Sequence, residues 1–371
     1  MRLASFNLEN LFDRARALNQ ATWAAGRPAL DEYARINKLL AKPAYSAADK
    51  AKILKSLGKL GLLKRDDGGE FALLRQNKGR LLRRSNNGPV AVVANGRGDW
   101  IGWVELKTQE VDEVAQRNTA QVIRDVGADL LGVIEADDRI ALKRFNQQLL
   151  PAVTGNSYDH VLLIDGNDER GIDVGFMTRG NFPIGRLRTH VDDMKNGSVV
   201  FSRDCPEYEV ELAGGGRLLV LVNHLKSKGF GTQADSNARR RMQAETVRAI
   251  YEERRQAGAT LIAVIGDLND TPDSAPLAPL LADGSALRDV STHPNYQNDG
   301  RRGTFGNGTK SDKIDYILLS PVLFDKVATA GVFRKGVWGG KNGTLWPIYP
   351  EMTKQVHAAS DHAAIWVDLN L

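Results

Sequence analysis

Asp267 and Asn269 stand two residues apart where an apolar run ends, in the stretch Val264-Ile-Gly-Asp-Leu-Asn-Asp270. An acceptor-only carboxylate beside an amide that both donates and accepts can hold a water and a phosphate oxygen together. The run Leu261 to Ile265 is short and rich in branched residues, which predicts a strand covered on both faces. Gly266 admits close backbone approach, and strand alternation is expected to set Asp267 and Asn269 on one side. Thr271-Pro272-Asp273 then stops the strand. The same residues also suit an Asx-rich turn after a core strand, so this stretch alone leaves chemistry and turn-making both open.

Other apolar runs end in the same way. The first predicted strand, Arg2 to Phe12, carries Asn7 and Glu9, again two apart, and a buried strand rarely holds two such groups without a task. Asp129 to Ile134 ends on Glu135, and Arg170 opens a strand that runs to Thr178. Arg217 to Val222 delivers His224 and then Lys226, Lys228 and a glycine-rich loop. A lone histidine is usually structural, but the adjoining lysines shift the balance toward anion contact. Asp315 sits amid apolar residues in Ser311 to Leu319, and Asp361-His362 opens a terminal strand. An imidazole works as a base near neutral pH when something orients it, and Asp315 is the candidate for that role.

These groups need a frame. Helical spacing appears at Leu30 to Leu40, at Ser46 to Leu63 with Ser46 as N-cap, at Glu113 to Val126 ending on Gly127, at Arg139 to Leu150 and at Ser236 to Arg255. Within the Arg239-Arg240-Arg241 run, a solvated face is expected. Short strands are expected at Phe71 to Leu74, Arg80 to Arg84, Val90 to Ala94, Trp100 to Leu106, Tyr158 to Ile164 and Tyr208 to Leu212. Residues 14–112 read as an inserted lobe that interrupts the rest. Among the 371 residues, 42% are apolar, enough for a sizeable core, and no run is long enough to cross a bilayer. One cysteine, Cys205, excludes an internal disulfide and a thiolate-rich zinc site. With no leader-like segment, cytoplasmic residence is expected.

Net charge is +5, from 50 basic and 45 acidic side chains, but Arg14 to Lys107 alone holds 19 Lys and Arg against 8 Asp and Glu. That segment is therefore +11 and the remainder −6. A basic segment beside an acidic remainder suits a polyanion binder that also holds a divalent cation. Taken singly, Lys50, Lys52, Lys55 and Lys59 read as solvated helix faces.

In order, Phe6-Asn7-Leu8-Glu9, Gly132-Val-Ile-Glu135, Asn223-His224, Gly266-Asp-Leu-Asn269, Lys313-Ile-Asp315-Tyr316 and Ser360-Asp-His362 resemble the motifs of the endonuclease/exonuclease/phosphatase superfamily. Its members include pancreatic-type deoxyribonucleases, AP endonucleases, neutral sphingomyelinases and inositol polyphosphate phosphatases. Each motif is weak alone; six in the same order are specific. The resemblance covers residues 1–12 and about 114–371, and departs from the family at the segment between, where members have a much shorter link. It implies an α/β (α+β) fold: a four-layer αββα sandwich of two packed mixed β-sheets flanked by helices, one domain over 1–371 with 14–112 as an inserted helical and hairpin lobe.

By position, the resemblance implies Glu135 as the main metal ligand with Asn7, Glu9 and Asp361 nearby. It implies His362 as the base, Asp315 as its orienting carboxylate, and Asp267 and Asn269 as positioning the water and phosphate. His224 would act on the phosphate side and Arg170 on a phosphate oxygen, with Lys226 and Lys228 beside the substrate. Hard oxygen ligands favour Mg2+ or Mn2+ over zinc. The expected activity is hydrolysis of a phosphodiester by a DNA endonuclease or exonuclease, with DNA favoured over RNA, the basic lobe being what points to nucleic acid; Trp100 and Trp103 could stack on bases, although a hairpin core suits both. The rivals are a phosphatase or phospholipase acting on inositol phosphates or lipid headgroups, and a catalytically silent nucleic-acid-binding module.

Overall fold

In the computed structural model, strands form where burial alternates or is complete. The structure describes residues 1–371 except Asn10, Asn19, Ala21, Thr22, Asn86, Asn87, Glu169, Phe230 and Gly231, and except the side chains of Trp23 and Asp283. The Asn87-Gly88 pair, whose residue types predict a turn between strands, and the far end of the glycine-rich loop after Lys228 thus fall at least partly outside the described residues. In chain order the main elements are β1 (Arg2–Asn7), α1 (Glu113–Val126), β2 (Leu130–Ala136), β3 (His160–Leu163), β4 (Asp173–Thr178), β5 (Ile184–Arg188) and β6 (Glu207–Glu211). Then follow β7 (Arg217–His224), α2 (Gln233–Gln256), β8 (Ile262–Asp267), β9 (Arg288–Asp289), β10 (Asp315–Leu319), β11 (Val327–Phe333) and β12 (Ala364–Leu369).

Two six-stranded mixed sheets result, ordered β11-β12-β1-β2-β4-β3 and β5-β6-β7-β8-β10-β9. Each has one parallel pair near its centre, β1 with β2 and β7 with β8. Leu3, Ile134, Val174 and Ile365 of the first sheet meet Val220, Val222, Ile265 and Ile317 of the second in a single buried cluster. Each such side chain contributes about 1.5–3 kcal/mol when removed from water, so this shared face is one principal source of folding energy. Outside the first sheet, α1 packs Val122, Ile123 and Val126 on Phe6, Leu131 and Val133. Outside the second, α2 packs Ala244, Val247 and Ile250 on Leu221, Val264 and Leu318. The order is helix, sheet, sheet, helix, as the resemblance implied.

Local chemistry sets the ends of these elements. The Asp112 carboxylate accepts from the Val114 N–H to open α1, and Gly127, left-handed at φ 61°, closes it. Arg240 departs from its expected solvated face. It is fully buried on α2, where its guanidinium donates to Asp270 Oδ2 at 2.9 and 2.7 Å and to the Lys226 carbonyl at 2.6 Å. It thereby fastens the loops that follow β7 and β8. β11 is absent from the sequence reading because Val-Ala-Thr-Ala-Gly-Val-Phe is mostly small and lacks clean alternation; it forms by pairing along β12. The helix expected over Arg139 to Leu150 forms and continues to Thr154, with a π turn at Phe145–Leu149 inside it.

Contacts divide the chain into two compact units, Met1–Phe12 with Val111–Leu371, and Asp13–Glu110. The second unit has its own centre, in which Leu30, Ile36, Ile53, Leu57, Trp100 and Val104 are buried. Its helices are Trp23–Leu40 and Ala47–Lys59, the latter opened by a capping box between Ser46 and Asp49. Strands Ala72–Lys78 and Ile101–Leu106 pair antiparallel. The two tryptophans separate: Trp100 is buried and donates to the Tyr45 hydroxyl, whereas Trp103 is 41% exposed. Lys42, Lys59, Arg35, Arg75, Arg84 and Lys107 of this unit pair with carboxylates inside it.

A pH dependence follows from Glu207 on β6. Burial alone would raise its pKa, but His190 at 3.0 Å and Arg254 at 2.6 and 2.8 Å hold it down to about 2. A carboxylate depressed on folding stabilises above its unfolded value and loses that contribution as pH falls toward the folded one. Resistance to urea should therefore fall as pH drops from about 5 to about 2. Glu207→Gln should remove part of that acid limb while lowering stability at pH 7 by roughly 3 kcal/mol; an unchanged acid limb would contradict the assignment.

Candidate active site

Alternation along the strands carries the inter-sheet face out of the core and into a polar mouth. On β1, Leu3 and Ser5 lead to Asn7; on β7, Val220 and Val222 lead to His224; on β8, Ala263 and Ile265 lead to Asp267. β10 runs the other way, so its first residue, Asp315, arrives at the same end. The ladder aligns these groups, pairing His224 with Asp267 and Asp267 with Asp315. Three titratable side chains therefore form a row across three adjacent strands.

Gly266 is what lets the row form. Its φ is +128°, and a Cβ there would lie 1.9 Å from the Asn223 carbonyl oxygen, so only glycine fits. Glu135 reaches the mouth by a different device. Between β2 and β4 the register shifts, with Ala136 opposite Asp173 and Ile134 opposite Val174, which leaves Glu135 as an extra residue with φ +62°. Alternation alone would send Glu135 to the outer face; the bulge brings its Oε1 within 3.6 Å of His224 Nε2.

The Asn7/Glu9 and Asp267/Asn269 pairs depart from the expected alternation. β1 ends at Asn7 and β8 at Asp267, and the residue two further on is left-handed in both, Glu9 at φ 52° and Asn269 at φ 56°. The Glu9 N–H donates to Asn7 Oδ1 at 3.0 Å and the Asn269 N–H to Asp267 Oδ1 at 2.8 Å. Both pairs are Asx turns, so turn-making and site-building are one feature here. Asn269 Nδ2 donates to the Leu225 carbonyl at 3.1 Å, and the Glu9 carboxylate accepts from the Asp361 N–H at 3.0 Å.

His362 closes the mouth. Its Nδ1 lies 2.8 Å from Asp315 Oδ2, and since a carboxylate only accepts, Nδ1 carries the proton. Thr304 Oγ1 donates to the same oxygen at 2.6 Å, and the Phe305 ring packs on the imidazole at 4.9 Å between centroids. His362 Nε2 faces inward, 3.5 Å from Asn7 Nδ2, 3.7 Å from Asp361 Oδ1 and 4.0 Å from Asp267 Oδ2.

Electrostatics differentiate the groups. Burial opposes charge on His362, but the Asp315 carboxylate and its hydrogen bond outweigh it and raise the imidazole well above its ordinary pKa. His224 goes the other way: burial, then the guanidinium groups of Arg203 and Arg170, push it well below. Burial and the charge of Asp315 raise Asp267. Arg203 and Asp168, absent from the sequence reading, sit behind the mouth. Arg203 is buried and 3.1 Å from Asp168, and Asp168 also binds Arg170 at 2.8 and 2.6 Å. Both lie in loops without strand periodicity, so no local signal marked them.

Three expected substrate contacts are engaged within the protein. Arg170 is held by Asp168. Lys226 Nζ donates to the Ser227 and Gly229 carbonyls, and Lys228 Nζ pairs with Asp270 at 2.9 Å. Their loop folds back on itself, which is why neither ammonium group belongs to the row.

Comparison with known proteins then decides the family. A model described as the Endonuclease/Exonuclease/phosphatase family matches residues 110–362. The chain belongs to this family. Its members are hydrolytic enzymes acting on phosphoesters and generally depend on a divalent metal. A mannosyl-6-phosphatase of Bacteroides thetaiotaomicron shares the fold at TM-score 0.51 and 19% identity, over 70% of this chain and 92% of that one. A family protein of Bacteroides vulgatus does so at TM-score 0.50 and 17% identity, over 70% and 91%. The chain has no match among curated protein sequences.

The residues present fit such a metal. Asp267, Asp315 and His362 offer ligand atoms within 4.8 Å of one another. Asp315 Oδ2 already accepts from His362 and Thr304, whereas Asp267 and Glu135 converge on His224 Nε2 at 3.6 Å each. Buried carboxylates this close repel one another, and a hard cation on their oxygens relieves that repulsion. The role of Asp315 is testable by NMR titration of His362 in protein held metal-free with chelator. Asp315→Asn should lower the protonation midpoint by roughly one to three units; an unmoved midpoint would assign the imidazolium to other carboxylates.

Proposed function

We propose that the chain is a magnesium- or manganese-dependent phosphodiesterase that hydrolyses nucleic acid, DNA in preference to RNA, as an endonuclease or exonuclease in the cytoplasm. The observation that carries the hydrolytic reading is the His224–Asp267–Asp315 row with His362 bonded through Nδ1 to Asp315. Glu135 and Asn7 would hold the ion, with Glu9 and Asp361 bracing them. When bound, the ion supplies positive charge that neutralises phosphate oxygens, polarises the phosphorus and lowers the proton affinity of nearby bases.

The remaining work falls to the chain. Asp267 and Asn7 orient the attacking water, and His362 Nε2 receives its proton while Asp315 holds Nδ1–H and balances the imidazolium, a service worth about 10²–10⁴ in rate. The Asp315 carboxylate raises the His362 pKa well above its ordinary value, so without a cation at the mouth the imidazole holds its proton more tightly than a free one. Metal charge and base function are thus linked. His224, kept neutral, serves as a hydrogen-bond donor to a phosphate oxygen rather than as a proton source.

The nucleic-acid assignment rests on charge. The unit Asp13–Glu110 leaves the family fold just past Glu9 and returns where the Val111 N–H meets the Phe12 carbonyl at 2.7 Å. Its excess of lysine and arginine gains affinity for a polyphosphate by releasing counterions. A phosphorylated sugar, inositol or lipid headgroup is the rival substrate, and the fold shared with a mannosyl-6-phosphatase keeps it in view.

Two experiments bear on this reading. Chelator should abolish cleavage of plasmid DNA and added Mg2+ or Mn2+ should restore it, whereas better restoration by Zn2+ would count against the oxygen-ligand assignment. Replacing Asp13–Glu110 by a short linker should weaken DNA binding and reduce the slope of log K against log salt by several units, at about 0.9 per phosphate contact. An unchanged slope would remove that unit from the substrate contacts, and faster hydrolysis of sugar or inositol phosphates than of any nucleic acid would replace the proposal with its rival.

A further inference from the structure

Beyond the edge strand β9 lies a cleft of about 830 Å³ that the chemistry above does not use. One wall is Pro272–Asp273, immediately after the Asn269 turn, and the other is the long loop between β9 and β10. That loop also supports the active site, through Thr304 on Asp315 and Phe305 on His362. The cleft and the reacting groups are therefore two faces of one loop.

Five cations line the cleft: Arg288, Arg301, Arg302, Lys310 and Lys313. Its two carboxylates are taken by the lysines, Asp273 by Lys310 at 3.6 Å and Asp289 by Lys313 at 3.4 Å. Among the described residues, none of the three arginines has a carboxylate within ion-pair distance. Elsewhere the protein pairs its arginines freely, as at Arg2, Arg75, Arg240 and Arg254. Two of the cleft arginines are braced instead by aromatic rings, Arg301 by Trp346 and Arg288 by Phe324, each at 5.3 Å from the ring centroid. Gathering unneutralised guanidinium groups in a concavity raises their mutual repulsion and focuses a positive potential there. An external polyanion relieves it, and guanidinium geometry matches phosphate.

We propose that this cleft binds backbone phosphates of a nucleic-acid strand, flanking the phosphate that reaches His362. The proposal rests on the nucleic-acid reading above and adds a second contact site to it, independent of the Asp13–Glu110 unit. Arg288 and Arg302 make the principal contacts, since both are exposed and neither carries a loop hydrogen bond of the kind Arg301 gives to the Asn307 carbonyl.

The test compares Arg288→Gln/Arg302→Gln with Arg186→Gln, an exposed arginine on β5 at the opposite edge of the same sheet. Binding of a fluorescent oligonucleotide to the full chain is followed by anisotropy in chelator, over a range of salt, with melting curves to establish folding. The double variant should bind about tenfold or more weakly, with a salt slope reduced by roughly 1.5, and Arg186→Gln should match wild type. A folded double variant that binds like Arg186→Gln overturns the proposal. So does tighter capture by vesicles containing phosphatidylinositol bisphosphate than by oligonucleotide. If the affinity loss appears but the oligonucleotide stays intact on adding magnesium, the cleft stands and the nuclease reading fails.

Discussion

The register of β7, β8 and β10 is the constraint on which the rest depends. Because His224 faces Asp267 and Asp267 faces Asp315, the mouth is a continuation of the ladder. Cross-strand neighbours on one face lie about 5 Å apart, so the pairing fixes the spacing of three ionisable groups before any side chain adjusts. A slip of one residue would turn all three toward the helix layer and bring their neighbours Asn223, Gly266 and Tyr316 to the inter-sheet face. Register here is held by the apolar row behind the site, Val222, Ile265 and Ile317, which has to face the other sheet. Core packing and active-site geometry are thus one requirement.

Backbone conformation completes what the ladder begins. Among described residues, five non-glycine positions have positive φ, and three of them, Glu9, Glu135 and Asn269, surround the mouth. Such conformations cost of order 1–3 kcal/mol each and persist only where the surroundings enforce them. Glu9 and Asn269 are enforced by Asx hydrogen bonds from Asn7 and Asp267, and Glu135 by the bulge against β4. The strain lets strands that point their side chains alternately up and down place successive polar groups around one point.

This division explains what was legible in the sequence. Strand ends, apolar runs and the residues that follow them are local, so Asn7, Glu135, His224, Asp267, Asp315 and His362 were found as strand-end groups, and the structure gathers them. The four-layer order came from the resemblance those motifs carry. Turn conformation was less legible: Asn269 and Glu9 were found for the wrong geometric reason, since spacing of two cannot separate a strand from an Asx turn. Burial of charge was not legible. Arg240 and Arg203 look like surface residues until Asp270 and Asp168, distant in sequence, supply their partners. The fastening of Lys226 and Lys228 was not legible either, because a lysine beside a histidine says nothing about where its ammonium group is held.

The two buried histidines show how those distant partners decide chemistry. His224 and His362 flank the same carboxylate, Asp267, at 3.6 and 4.0 Å, and burial disfavours charge on both. Their pKa values nevertheless move apart, because Asp315 stands behind one and Arg203 behind the other. Two imidazoles in one pocket thereby differ in proton affinity, strengthened at His362 and weakened at His224. Arg203 is paired with Asp168, which sits below the usual carboxylate range because Arg203 and Arg170 outweigh its own burial. Arg170 adds to Arg203 in disfavouring charge on His224, while its own guanidinium is held by Asp168.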